Sequence, residues 1–337
     1  MSKLIYKITS LLALLFPVKL LIKLSGINTI YPFYHLVNNS PPAHIKYLYK
    51  TKSVSQFKKD IDFISKYFKP VISIPEKIYQ SEEASFLLSF DDGLSECFDI
   101  LRPVLKEKNI NAVFFINSAF VGNNNLFYKY KASLLIEKIK KSELNDNLIK
   151  EIITLDKEFK ILSNNDLINF LSKMTYKQSG ILDKLADILE FNFEAYIQKN
   201  KLYMTAKEIE QLANEGHIIG SHGIDHPLFS DIDESEQLRQ IKESTEYIQN
   251  RIATSIRLFA FPFTDHKLTL SLFKKIHNYK IVDYTFGTAG IKEDIVINNI
   301  QRIPIELHGL SAKRTIKAEY LLYILKRMIG KHIIRRK

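Results

Sequence analysis

Apolar and polar positions along this chain follow two rhythms. Short apolar runs recur, and each is followed by a longer stretch in which apolar residues fall three or four apart. Phe86 to Phe90, Ala112 to Ile116, Leu258 to Phe263 and Val282 to Phe286 read as buried strands by run length and β-branched or aromatic content. Tyr31 to Val37, Val71 to Ile74, His217 to Gly220 and Arg302 to Ile305 complete the set. Helices are predicted between them. Ser53 to Phe68 carries Ser53 and Gln56 at capping-box spacing, and Thr205 with Glu208 opens a second helix that Gly216 ends. Glu234 to Arg251 and Leu268 to Asn278 have helical spacing, and Leu94 to Lys108 is a helix interrupted by Pro103. This βαβα order predicts a mainly parallel sheet, and the number of strands favours a closed or nearly closed barrel. Chemistry then belongs at the carboxyl ends of the strands.

One stretch departs from the rhythm. About 122–201 is helical and polar, with Leu134-Leu135-Ile136, Leu167-Ile168 and Leu182, Leu185 and Ile188 at helical spacings. It reads as a helical insertion over one rim of a barrel that occupies about 29–310. The ends form two further segments. Residues 1–28 combine Leu11 to Val18 with Lys3, Lys7, Lys19 and Lys23, which is too short and too charged for a spanning helix and reads as a basic amphipathic segment lying on a membrane. Residues 311–337 repeat that character as a basic amphipathic helix and tail, with packing on the domain as the other reading.

Charge supports an anionic partner without naming it. Lys plus Arg number 48 against 37 Asp plus Glu, a net +11, which suits a membrane face, an acidic glycan or simply a solvated lysine-rich surface. No run of basic and aromatic residues resembles a nucleic-acid motif, so no nucleic acid is expected. Cys97 is the single cysteine. It excludes an intrachain disulfide and any cysteine zinc cage, and it reads as a small core residue.

The chemistry concentrates in two short segments. Ser89-Phe90-Asp91-Asp92-Gly93 closes an apolar strand, and adjacent carboxylates there raise each other's pKa unless a cation shares the site. His222-Gly223-Ile224-Asp225-His226 follows another strand. Two imidazoles and one carboxylate make a facial triad suited to zinc, iron(II), cobalt or nickel. The second carboxylate would be free to act as a base.

These residues resemble the polysaccharide deacetylases, the NodB-homology carbohydrate esterases. Ser89 to Gly93 is similar to that family's first motif, Thr-Phe-Asp-Asp-Gly, and Ser221 to Pro227 to its second, a His-x-x-x-His before proline. Phe259 to Phe263, Phe33-Tyr34-His35-Leu36-Val37 and Gln301 to Ile305 resemble its third motif, its opening and its closing strand. The resemblance implies a distorted (β/α)7-type barrel and metal-dependent removal of N-acetyl or other acyl groups from an amino-sugar polysaccharide or lipid-linked saccharide. It implies Asp92, His222 and His226 as metal ligands, zinc first among the ions, and Asp91 as general base. Pro262, Phe263 and His35 fall to the substrate and oxyanion side, and His308 in Glu306-Leu307-His308 to the general acid. The third motif departs from the family: Ala260 stands where an arginine usually orients the base, with Arg257 and Arg302 as the candidates to replace it. That departure, together with the absence of a clearly marked general acid, motivates a second reading, a glycan-binding barrel with little or no turnover. The expected setting is a bacterial membrane, with the side open.

Overall fold

The computed structural model describes residues 3–73, 81–141, 145–155, 161–254, 256–306 and 309–337. It divides into two compact units. One comprises Met1–Asn39, Thr51–Gly122 and Tyr203–Lys337, the other Ser40–Lys50 and Asn123–Leu202.

The first unit is built on one parallel sheet of eight strands: β1 (Pro32–Tyr34), β2 (Leu88–Phe90), β3 (Ala112–Ile116), β4 (Ile218–Ser221), β5 (Leu258–Ala260), β6 (Tyr284–Gly287), β7 (Asn299–Gln301) and β8 (Ile303–Pro304). Their spatial order is β7-β6-β5-β4-β3-β2-β1-β8. The two edge strands are neighbours in sequence, separated by Arg302 alone. The Arg302 N–H donates to the Gly287 carbonyl on one side, and the Ile303 N–H donates to the Tyr31 carbonyl on the other. The last strand therefore changes partner at Arg302 and closes the sheet into a barrel. This is why a seven-strand expectation meets eight strands: β7 and β8 are one segment bonded first to β6 and then to β1.

Side chains alternate across the barrel wall as strand geometry requires. Val113 and Phe115 join Leu87, Leu258, Ala260, Phe286 and Ile300 in one cluster, while Ala112, Phe114 and Ile116 join the larger core shared with the helices. Strand β3 is buried on both faces, as its uninterrupted apolar run predicts. The capping boxes at Ser53 and Thr205 form as read, starting Val54–Tyr67 and Ala206–Asn214. The segment around Pro103 is a π turn, Cys97–Leu101, followed by the helix Arg102–Glu107. The short strand expected at Val71 lies two residues earlier, at Lys69–Pro70, and Ile74 falls outside the described residues.

The ends are ordered against the barrel. Helices Lys3–Leu12 and Val18–Ser25 pack on the long C-terminal helix Ala312–Met328. That helix is not a surface amphipath: Thr315 to Tyr320 is buried continuously. The Glu319 carboxylate inside it accepts from the Tyr6 hydroxyl at 2.8 Å and from the Ile291 N–H. The tail is held too. Ile333–Ile334 pairs in parallel with Glu293–Asp294, and Arg336 is buried between the carboxylates of Asp265 and Asp294.

The second unit is helical, with Tyr128–Lys141, Asp146–Thr154, Asn164–Lys173, Leu182–Ile188 and Phe193–Lys199 as its principal helices. Leu135, Ile139, Leu167, Leu171, Leu182 and Leu185 are buried in it. His44 packs on Tyr130, and its Nδ1 lies 3.0 Å from the Tyr196 hydroxyl.

Candidate metal and acid–base site

Strands β8, β1 and β2 are neighbours and β4 lies beyond β3, and these four deliver their chemistry at their carboxyl ends. Register Tyr34↔Phe90 puts His35 level with Asp91, and register Pro304↔Phe33 brings Glu306 to the same height. Asp91 and Asp92 follow β2 directly, and His222 follows β4. Asp92 turns the chain in the left-handed region, φ 74°, with Gly93 next at φ 68°. His226 (φ 63°) and Phe263 (φ 59°) adopt the same conformation. Non-glycine residues rarely adopt it, and holding three of them there stores strain that the surroundings must balance.

Asp92, His222 and His226 are all buried, and each offers a ligand atom within 4.8 Å of the others. Asp92 Oδ1 lies 3.1 Å from His226 Nε2 and 3.5 Å from His222 Nε2. His222 Nδ1 lies 2.7 Å from the Ala260 carbonyl. That contact places the proton on Nδ1 and turns the Nε2 lone pair toward Asp92, the arrangement a metal-binding imidazole needs. Burial lowers the His222 pKa to about 4, so the ring is neutral at physiological pH. Burial opposes ionisation of Asp92, but the neighbouring His226, with His35 and His222, outweighs it and holds the carboxyl low. Two imidazole nitrogens and one carboxylate oxygen, close together and buried, fit a divalent ion such as zinc.

The histidine loop is held from two sides. The Gln240 side chain, fully buried, accepts from the Ile224 N–H and donates to Asp225. The Asn117 amide donates to the His222 carbonyl, and the Ser118 and Ala119 N–H groups donate to the carbonyls of Gly223 and Ile224. Neither Gln240 nor Asn117 carries a motif, and only the fold exposes their part.

Asp91 has a partner that the third motif lacks. Arg302 grips it bidentately, at 2.6 Å and 2.8 Å, and also donates to Ser89 Oγ. The guanidinium is fully buried, 4.2 Å from the centre of the Phe33 ring. Burial raises the Asp91 pKa, and the charge and hydrogen bonds of Arg302 more than reverse that, so the carboxylate stays ionised. Of the two arginine candidates Arg302 reaches Asp91. Arg257 is instead engaged with Asp283 and the Lys280 carbonyl. Asp265, two residues beyond Phe263, pairs with Arg336.

His35 is level with Asp91 and held by Glu306, which accepts from the backbone N–H groups of His35 and Leu36 and sits 2.9 Å from His35 Nδ1. Burial pulls the His35 pKa down, but Glu306, with Asp92 and Asp91, lifts it to about 9. Its side chain is 31% exposed, whereas those of Asp91 and Arg302 are 2% and 0%. Phe263 is 42% exposed and sets its ring edge-on to His226 at 4.7 Å, with Pro262 buried behind it. His308 lies outside the described residues.

Comparison with known proteins agrees with the fold and the motifs. The structure resembles that of IcaB from Ammonifex degensii (TM-score 0.51, 13% identity, 88% of this chain and 97% of that one). It also resembles the Streptococcus pyogenes deacetylase PplD in complex with acetate (TM-score 0.52, 12% identity, 86% and 97%). At such identities the likeness is one of fold. In sequence, 96 residues are 33% identical to a peptidoglycan-N-acetylglucosamine deacetylase from Bacillus cereus, covering 27% of this chain and 34% of that protein. The family model for polysaccharide deacetylase matches residues 79–153 and 181–282, more than half of the chain and spanning both the acidic pair and the histidine loop. Motifs, barrel and the convergence of Asp91, Asp92, His222 and His226 on one rim thus lead to one assignment: the chain belongs to the polysaccharide deacetylase family.

Proposed function

We propose that this chain is a metal-dependent hydrolase that removes N-acetyl groups from an amino-sugar glycan, N-acetylglucosamine polymers being the first class to test. The observation that carries the reading is the buried Asp92–His222–His226 cluster with Asp91, held ionised by Arg302, beside it. Asp92, His222 and His226 would hold the ion, which when bound supplies a polarised amide carbonyl and an acidified water. Asp91 accepts the proton of the attacking water. His35, protonated and oriented by Glu306, gives a proton to the departing amine nitrogen, so that acetate and a free amine result. The exposed Phe263 ring offers a flat apolar face to the sugar, and the backbone around Pro262 and Phe263 a place for the developing oxyanion. The alternative of a glycan-binding barrel without turnover rested on the missing third-motif arginine and on the lack of a marked general acid; Arg302 at Asp91 answers the first, and His35 is the residue offered for the second.

The test is acetate release from chito-oligosaccharides and from peptidoglycan fragments, with metal content measured in parallel. Wild type is expected to release acetate only when loaded with a divalent ion. Asp91→Asn is expected to bind the ion equally and to lose release by a factor of about a thousand or more. Undiminished release by that variant would remove Asp91 from the base role. No release by metal-loaded wild type from either substrate would overturn the deacetylase reading for this class.

A further inference from the structure

We infer that the outer face of the two N-terminal helices, with the end of the long C-terminal helix, docks in the plane of a lipid bilayer carrying anionic headgroups. The helix Lys3–Leu12 and the turn after it are apolar on two sides. Tyr6, Ser10 and Ala13 are buried toward the C-terminal helix, where Tyr6 meets Glu319 and Ser10 meets Arg314. The opposite stripe, Leu4, Ile5, Ile8, Leu11, Leu12 and Leu15, is between 50% and 78% exposed. Leu20 and Leu24 on the second helix, and Leu325, Met328 and Ile329 at the end of the C-terminal helix, are exposed too. A soluble surface scatters such residues singly; a contiguous set marks a surface that something covers.

Charge selects the occupant. No acidic residue precedes Asp60 in the sequence, whereas Lys7, Lys19 and Lys23 are exposed among the leucines. In the segment 311–337 the one acidic residue is Glu319, which is buried; Lys317 is buried too and Arg336 is spent on Asp265 and Asp294, which leaves Lys313, Lys326, Arg327, Lys331, Arg335 and Lys337 at least partly exposed. Exposed leucines interspersed with lysines and free of acids match an interface of acyl chains beneath anionic headgroups. Lysine stems extend over the apolar zone while the ammonium stays at headgroup level. Geometry selects the mode. No single described helix is long and apolar enough to cross a membrane, and the two N-terminal helices bend by 108°. Their inner faces are committed to the C-terminal helix, so the pair lies on the bilayer rather than through it.

The C-terminal helix begins at Ala312, and its first half is where Tyr6 and Ser10 pack. The docking does not rest on the deacetylase reading.

The chain contains no tryptophan, so Leu15→Trp installs a single reporter. The full-length Leu15→Trp protein is mixed with vesicles of phosphatidylcholine alone or with about a third phosphatidylglycerol, and the emission maximum and co-flotation are recorded. Anionic vesicles are expected to shift the emission to the blue and to float the protein, with binding weakened at high salt. Ile8→Glu/Leu12→Glu in the same background is expected to cut vesicle binding at least tenfold while melting with its parent. Absence of binding to either vesicle, or equal binding by the glutamate variant, overturns the inference. So does a stable dimer in solution that the glutamate variant dissolves, because a second copy would then cover the face. No turnover is measured, so this failure and that of the deacetylase reading are separate results.

Discussion

Two ion pairs stand side by side at the carboxyl ends of the barrel strands, and they are built to opposite specifications. Asp91–Arg302 is bidentate and closed off, with neither side chain more than 2% exposed. His35–Glu306 joins through one nitrogen, and His35 keeps nearly a third of its surface open. The first pair fixes a charge, since guanidinium cannot give up its proton and the fork geometry allows little rotation. The second fixes an orientation and leaves the proton mobile. A base that must be ionised before substrate arrives suits the closed pair. A donor that must reach the leaving group suits the open one.

That contrast can be broken most forcefully at Arg302. Arg302→Met leaves Asp91 buried without its countercharge, and removing one partner of a buried pair typically costs about 3–5 kcal/mol. Denaturant unfolding should register that loss together with the collapse of acetate release. Arg302→Lys, which keeps the charge but not the fork, should fall between. A methionine variant as stable as wild type would show that the pair does not hold the seam.

His35→Gln should be milder in stability and specific in chemistry. Acetate release from an amide substrate is expected to drop about 10²- to 10⁴-fold with melting and metal content near wild type. An activated aryl acetate, whose leaving group needs no proton, should still be hydrolysed. Asp91→Asn should lose both substrates. Equal losses on the two substrates in His35→Gln would mean that the residue positions something rather than donating.

The smallest effect sharpens the comparison by sign, using chelator-treated protein. The folded His35 pKa, about 9, lies above its unfolded value near 6.5. Its pairing therefore stabilises fully below pH 6.5 and is lost as pH rises through about 9. The folded His222 pKa is depressed to about 4. Neutral His222 therefore favours the fold above pH 6.5, and that contribution is lost as pH falls toward 4. Melting temperatures of His35→Gln and His222→Gln, subtracted from wild type across pH 4 to 10, should diverge on the alkaline side for the first and on the acid side for the second. Parallel curves would show that the two rings do not differ as described.

What could be read from sequence was mostly local. The caps at Ser53 and Thr205 are set by residues three apart, and the barrel strands by runs of a few apolar residues. Asp91, Asp92, His222 and His226 declared themselves because each pair lies within five residues and beside a strand. The partner of Asp91 did not, because Arg302 is 211 positions away and shared its claim with Arg257 until the strand order separated them. The left-handed backbone at Asp92, His226 and Phe263 had no local signal either, since surrounding contacts rather than residue type impose it. The N-terminal helices read as amphipathic but carry apolar residues on two sides, and which face the C-terminal helix covers is a tertiary fact.

The single-residue seam at Arg302 has a bearing on how the protein is made. Synthesis proceeds from the N-terminus, so Asp91 and both histidines emerge long before the guanidinium that will face the base. Until the last strand passes from β6 to β1, the nascent chain has an open sheet and a carboxylate with no countercharge. Barrel closure and pairing of Asp91 are then one event, and a ribosome that stalls short of residue 302 releases a chain with Asp92, His222 and His226 present and Asp91 without its countercharge.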